Sequence, residues 1–268
     1  TTSSKRRTPK SGDGQLILPL ITLRALIITP NSKLQITAAR KSSIAALDYA
    51  NAQEQKHLAV FCQLNEQDEV PGFNELHKTG VICNLINLTQ KDEHTSQCLF
   101  SGFSRIKLIE IIDDEKVAFR QARVQVLPEE ECEPKDIADT QSVIKSSLQY
   151  AIDSSDKTAR ALIEESVPKH LIKTILEETS LSKLTDMLTQ VLKLDFQTRL
   201  MLLSSTNPVE RGRIIISALN GYSYRSELEG HILDLAKKSM EKNQKEYFLA
   251  EQLKAIKKEL GVNVTEDD

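Results

Sequence analysis

The chain has 268 residues, 40% hydrophobic and 27% charged, with a formal net charge of −3. That length allows one large or two ordinary domains, and the composition excludes a disordered chain. The charge gives no overall pull toward nucleic acid, and no apolar run approaches the ~18 residues that a membrane-spanning helix needs.

Residues 1–14 (TTSSKRRTPKSGDG) offer nothing from which to build a signal-peptide core or an amphipathic transit helix, and read as a disordered tail. Gln15 to Thr22 predicts a first strand whose Pro19 suits an edge or a bend. Leu23 to Thr37 is mixed, with a turn at Pro30-Asn31-Ser32. Lys41 to Ala52 reads as a short helix capped by Ser42 or Ser43. His57 to Leu64 is a compact apolar run of strand length. A polar loop around Pro71-Gly72 follows, holding one turn of helix at Phe73–His77. Thr79 to Gln90 alternates, then come strands at Thr95–Ser101, Arg105–Ile112 and Val117–Leu127, with turns at Gly102 and Asp113-Asp114-Glu115. Six strands with one or two helices over 15–128 predict a small closed or half-closed β barrel.

Leu127 to Pro134 (LPEEECEP) is an acidic, proline-bounded linker, beyond which the period becomes helical. Helices are predicted around Ile137–Ile152, at Ala159–Ser166, from Pro168 to Glu178, and at Ser180–Leu192 with Leu181, Leu184, Leu188 and Val191 on one face. Asp195 is placed to cap Phe196–Leu203, and Asn207-Pro208 to start a helix at Val209–Leu219 that Asn220-Gly221 stops. Residues 129–221 therefore read as a helical bundle. The stretch 222–261 reads as one long helix, roughly 54 Å from Arg225 to Leu260. It is apolar at both ends, polar in the middle, and followed by a short tail at 262–268. A helix patterned in that way joins two bodies. The expected fold class is α+β: a β pseudobarrel, a helical bundle and a long connecting helix.

The charge is divided along the chain. Residues 1–128 hold 16 basic against 13 acidic side chains, and removal of the N-terminal tail leaves the β region balanced. Lys237 to Lys258 carries seven Lys against three Glu, enough for salt-sensitive attraction to phosphates. The cysteines, Cys62, Cys83, Cys98 and Cys132, form no C-x-x-C pair, and no histidine pair completes a zinc site. They read as buried, reduced thiols in a reducing compartment.

Two stretches carry a resemblance to a known family. Met240 to Gly261, with Asn243-Gln244-Lys245-Glu246-Tyr247, Glu251-Gln252 and Lys258-Glu259-Leu260-Gly261, resembles the segment before the ATPase module of the ATP-dependent Lon proteases. Leu18-Pro19-Leu20, Leu23-Arg24, Arg40, Ser43-Ile44, Thr79-Gly80-Val81 and Gly102-Phe103-Ser104-Arg105-Ile106 stand in the order of the Lon N-terminal domain, which has a PUA-like pseudobarrel fold. Thr22, Ala39 and the residues after Pro30 depart from that pattern. The resemblance covers nearly all of residues 15–261 and ends where the ATPase module would begin, so the chain is expected to be cut short there.

The resemblance implies a hexameric, ATP- and magnesium-using serine protease with a Ser–Lys dyad that degrades misfolded, damaged and short-lived proteins. This region would select substrates and support the hexamer. No G-x-x-x-x-G-K-[ST] phosphate loop occurs in the chain. Asp113-Asp114 and Glu129-Glu130-Glu131 read as solvated acids, and the five histidines are isolated. No catalytic residue, cofactor site or metal site is expected in this region. Candidate substrate contacts are Tyr247, Phe248 and Leu249, adjacent on the long helix and unable to share one face. Expected partners are unfolded proteins and other copies of the chain, with weak DNA binding and no membrane, in the bacterial cytoplasm rather than a mitochondrial matrix. The alternative is a stand-alone PUA-like module that binds nucleic acid. Against it stand the neutral barrel and only 4% aromatic residues.

Overall fold

A computed structural model describes residues 14–92, 94–153 and 167–220. The expected helix at 159–166, the long helix at 222–261 and most of the N-terminal tail lie outside these residues. Six strands form one sheet: β1 (Gln15–Leu23), β2 (Lys33–Ala38), β3 (His57–Cys62), β4 (Thr79–Gln90), β5 (Ser96–Ile112) and β6 (Gln121–Val126). Their order is β2-β5-β4-β3-β1-β6, and β5 also pairs with β6, so all strands but β2 close into a ring. β1 and β3 run parallel, Leu20 opposite Ala59. The other pairs are antiparallel.

Closure depends on β5. Its first part, Ser96 to Ser101, pairs with β2, and its last part, Ile106 to Ile112, pairs with β6 along the same edge. Irregularities at Ile82/Cys83, Leu85/Asn87 and Leu108/Glu110 let the paired strands bend. The separate strands expected on either side of Gly102 are thus one strand of 17 residues. Gly102 is not a turn. It is the point where the Thr29–Ser32 loop crosses β5: Asn31 N donates to Gly102 O at 3.1 Å and Gly102 N to Ser32 O at 2.9 Å. A Cβ there would run into the Thr29 carbonyl.

The central strands are buried on both faces, which is why His57 to Cys62 reads as unbroken apolar sequence. Leu16, Leu18, Leu20, Phe61, Ile82, Ile106, Leu108 and Val124 fill the barrel interior. The opposite face, with Ile21, Leu23, Leu58, Val60, Val81 and Phe100, packs under α1 (Lys41–Ala52) through Ala46, Leu47 and Ala50. α1 has the expected limits but a different start. Its N-cap is Arg40, with no side-chain cap bond from Ser42 or Ser43. Instead Arg40 donates to Thr22 Oγ1 at 2.8 Å, to Gln63 Oε1 at 2.9 Å and to the Asp68 carbonyl at 3.2 Å. The departure at Thr22 therefore supplies an acceptor. Phe73–His77 is not helical. Leu76 bridges Gln63 in antiparallel fashion, because extended backbone is needed to return the loop to β4. β6 starts at Gln121 rather than Val117, since residues 113–120 form the β5–β6 connection.

Beyond the linker come α2 (Pro134–Asp153), α3 (Lys169–Glu177), α4 (Leu181–Val191), α5 (Phe196–Ser204) and α6 over residues 208–220. Their shared core holds Ile144, Leu148, Ile175, Leu181, Leu184, Leu188, Leu202, Val209 and Ile215. Asp195 caps α5, accepting from Thr198 N at 2.9 Å, and Asn207 Oδ1 caps α6, accepting from the amides of Val209 and Glu210 at 3.0 Å. α5 belongs to both halves: Leu200 and Leu203 enter the core beneath α1, while Leu202 enters the helical core. The cysteines are free thiols. Cys62, Cys83 and Cys98 are buried and Cys132 is half-buried.

Candidate functional site between barrel and helices

The two halves meet around Asp186, on the face of α4 turned to the barrel, with no exposed surface. Arg105 of β5 reaches it with Nη2 at 2.6 Å from Oδ1 and Nη1 at 3.4 Å from Oδ2. Asn31 Nδ2 donates to Oδ2 at 3.2 Å, aimed there by a left-handed backbone (φ 59) that asparagine tolerates. Arg211 of α6, also fully buried, lies 3.8 Å from Asp186 Oδ1. It donates to Thr185 Oγ1 at 3.1 Å, to Ser205 O at 3.0 Å and to Glu129 Oε1 at 2.6 Å. Two buried guanidiniums thus face one buried carboxylate, Asp186, and one partly exposed carboxylate, Glu129, so that neither buried cation lacks a counter-charge. Burial is the largest influence on the Asp186 carboxyl and pushes it up, while Arg105, Arg211 and the Asn31 amide pull it back. Burial pushes Arg211 down, followed by the charge of Arg105. The acidic linker, expected to be solvated, takes part in this network through Glu129. Further ties cross the interface from Thr29 Oγ1 to Asp186 O at 3.0 Å and from Gln190 Nε2 to Ile27 O at 3.0 Å.

Beside this junction the surface opens into two clefts along α5 that share Ile214. The larger, about 960 Å³, is lined by Ala25 and Glu66 from barrel loops and by Leu194, Phe196, Arg199 and Ala218 from the helical side. The second, about 450 Å³, is lined by Leu64, His77, Leu200, Met201, Ser204 and Glu210. These volumes suit a peptide-sized ligand. Leu64 is 51% exposed and Met201 58% exposed, so two large apolar side chains face water across the second cleft. Arg40 holds the Gln63–Asp68 loop that carries Leu64 and Glu66.

His77 and Ser204 also meet here, with Nε2 3.2 Å from Oγ. His77 Nδ1 lies 2.9 Å from the Thr79 carbonyl, which fixes it as the donor and leaves Nε2 an acceptor. Ser204 Oγ also lies 2.8 Å from Leu200 O, so its single proton has two acceptors within reach, that carbonyl and His77 Nε2. The pair joins barrel to α5, and the other ring nitrogen of His77 is held by a backbone carbonyl rather than by a carboxylate. Among the described residues no group of His, Cys, Asp and Glu could hold a metal ion, and no helix is long and apolar enough to cross a membrane.

Tyr247, Phe248 and Leu249, the contacts expected from sequence, lie outside the described residues. Leu64, Met201 and Ile214 were not foreseen, because a lone exposed leucine in a loop and a methionine in a short helix carry no pattern. Arg105 stands in the Gly102–Ile106 match without a role, and nothing in the sequence singles out Asp186.

A family model described as the ATP-dependent protease La (LON) substrate-binding domain matches residues 17–221. The Lon protease of Rickettsia prowazekii is 31% identical over 256 residues, covering 93% of this chain and 31% of that one. The Lon protease of Heliobacterium modesticaldum is 29% identical over 244 residues, covering 91% of this chain and 28% of its own length. The chain therefore spans about a third of the curated relatives it matches. Among solved structures, the N-terminal domain of Mycobacterium avium complex Lon protease superposes with a TM-score of 0.60 at 18% identity, over 76% of this chain and 98% of that one. A Lon N-terminal domain protein from Xanthomonas campestris gives 0.50 at 14%, over 75% and 98%. The structural likeness is one of fold, and the family model covers most of the sequence: the chain belongs to the Lon substrate-binding domain family.

Proposed function

We propose that this chain engages unfolded segments of protein substrates in the groove along α5 and presents them to an ATP-dependent Lon-type serine protease. The observation that carries this reading is the pair Leu64, from a barrel loop, and Met201, from α5, both exposed and both lining one cleft. Native proteins bury such side chains, so a segment that still shows its own apolar residues gains by covering them. Lys193, Asp195, Arg199 and Glu66 at the other end put both signs of charge along the path. That suits varied sequences better than one motif. In this reading the parent is a hexamer in the bacterial cytoplasm, its ATP and magnesium are used by its motor, and Tyr247, Phe248 and Leu249 make a second set of contacts. The support for these points is the resemblance of Met240–Gly261.

The test is a fluorescence titration with a carboxymethylated, permanently unfolded protein, with its folded parent protein and a mixed-sequence DNA duplex as comparisons, at two salt concentrations. The unfolded protein is expected to bind with little salt dependence. Met201→Asp and Leu64→Asp are each expected to weaken it roughly tenfold or more, the loss of about 1.4 kcal/mol. Undiminished binding by both variants overturns the groove. Binding of DNA alone, collapsing with salt, overturns the reading in favour of a nucleic-acid module.

A further inference from the structure

The groove wall α5 is a nine-residue helix, too short to hold its own shape or place in water. Its last carbonyls need partners and carry the negative end of the helix dipole. Arg105 supplies both needs from the barrel: Nε donates to Leu203 O at 3.0 Å and Nη2 to Leu202 O at 3.3 Å. The same Nη2 lies 2.6 Å from Asp186 Oδ1 on α4. One planar fork therefore fixes the end of α5, the flank of α4 and the strand β5 relative to one another, a task that a lysine ammonium has too few directed donors to perform. Because Gln197 and Met201 project from the helix so anchored, we infer that Arg105 is the positioning residue of the substrate groove, with Asp186 as its counter-charge. This rests on the groove reading above. The residue touches no ligand and acts only through α5.

A structural ion pair would behave differently from a positioning residue. A buried pair exchanged whole for apolar side chains often costs no stability, whereas removal of one partner strands the other. The decisive variant is therefore the double exchange Arg105→Met/Asp186→Leu, with Arg105→Lys beside it, both made in the full chain. Three quantities are read: the urea midpoint, hydrogen exchange of the α5 amides, and affinity for the carboxymethylated unfolded protein. The double variant leaves Asn31 Nδ2 and Arg211 without Asp186, and is expected to stay folded with a lowered urea midpoint, to exchange the amides of residues 200–204 roughly tenfold faster or more beyond that global change, and to bind the unfolded protein roughly tenfold more weakly. Arg105→Lys keeps the charge but loses the bonds to the two carbonyls, and is expected to show the same local rise in exchange. Should the double variant fail to fold, this one decides. Wild-type exchange in α5 for a folded variant overturns the inference, as does an equal rise at every amide. If α5 loosens and binding is unchanged, the groove is not set by Arg105 and the inference fails while the groove stands. If the native chain binds no unfolded protein, the groove reading fails instead, and exchange alone reports what Arg105 holds.

Discussion

Gly102→Ala adds one methyl group where β5 passes beneath the Thr29–Ser32 loop. The backbone at Gly102 is not in the left-handed region. Without neighbours, alanine would therefore be favoured by about 0.4–1 kcal/mol through the unfolded chain. The neighbours decide otherwise. The new Cβ would overlap the Thr29 carbonyl oxygen, sit 2.9 Å from its carbon and 3.2 Å from Pro30 Cα. These are backbone atoms, so no side chain can swing away. Relief requires the loop to lift, at the expense of the bonds Asn31 N–Gly102 O and Gly102 N–Ser32 O, about 1 kcal/mol each. Overpacking adds about 1–3 kcal/mol. The net expectation is a loss of about 2–4 kcal/mol, or roughly 6–12 °C in melting temperature for a chain of this size. The same loop carries Thr29 and Asn31 to Asp186, so α4 amides should lose protection along with those of β2. Gly72→Ala is the control: its Cβ would meet only the Glu75 side chain, which can move. Equilibrium urea unfolding measures both. A Gly102→Ala midpoint at or above wild type would refute the close approach and, with it, the crossing of β5 by this loop.

Phe61→Ala empties the barrel interior at a side chain 1% exposed; a loss of about 3–5 kcal/mol is expected in the same urea assay. Asp195→Ala removes the α5 cap. The Thr198 hydroxyl, then its amide, hold the Asp195 carboxyl below its usual range. The stability it supplies is therefore complete above the ordinary carboxylate pKa and is lost as pH falls through the lower folded-state value. Melting curves of wild type and variant should differ at neutral pH and converge in acid. Burial pushes the thiols of Cys62 and Cys98 up to about 12 and that of Cys83 up as well, so a thiol reagent at pH 8 should label Cys132 first and the other three only on unfolding. Rapid labelling of all four would contradict the packing of β3, β4 and β5.

How much of this was legible depended on whether a residue's partners lie near it in sequence. α1 and α4 follow the helical period, and their limits could be read from spacing. Asp195 and Asn207 announce their helices because a cap acts within three residues. β3 shows itself by its unbroken apolar run. The misreadings share one cause. Gly102 looks like a turn because only the distant Thr29–Ser32 loop explains the missing side chain, and Arg40 replaces a serine cap because its acceptors lie on two other segments. α5 has apolar residues on opposite sides, at Leu200 and Leu203 against Leu202, so it shows no stripe that would mark it as shared between two cores. Asp186 is the plainest case. Nothing next to Asp186 in sequence marks its role, because the groups that neutralise it, Arg105 and Arg211, lie far away in the chain.

The closed ring sets an order of events during synthesis. β1 leaves the ribosome about 100 residues before β6, its antiparallel neighbour, and at roughly 5–20 residues per second the wait is on the order of 5–20 s. Meanwhile β1 is apolar on both sides and its one early partner is β3, joined through parallel pairing. The barrel cannot seal until β5 and β6 have both emerged, and α5, whose leucines complete the layer beneath α1, comes later still. A nascent chain of this family therefore passes through a stage in which it displays the kind of surface that its finished groove is proposed to seize.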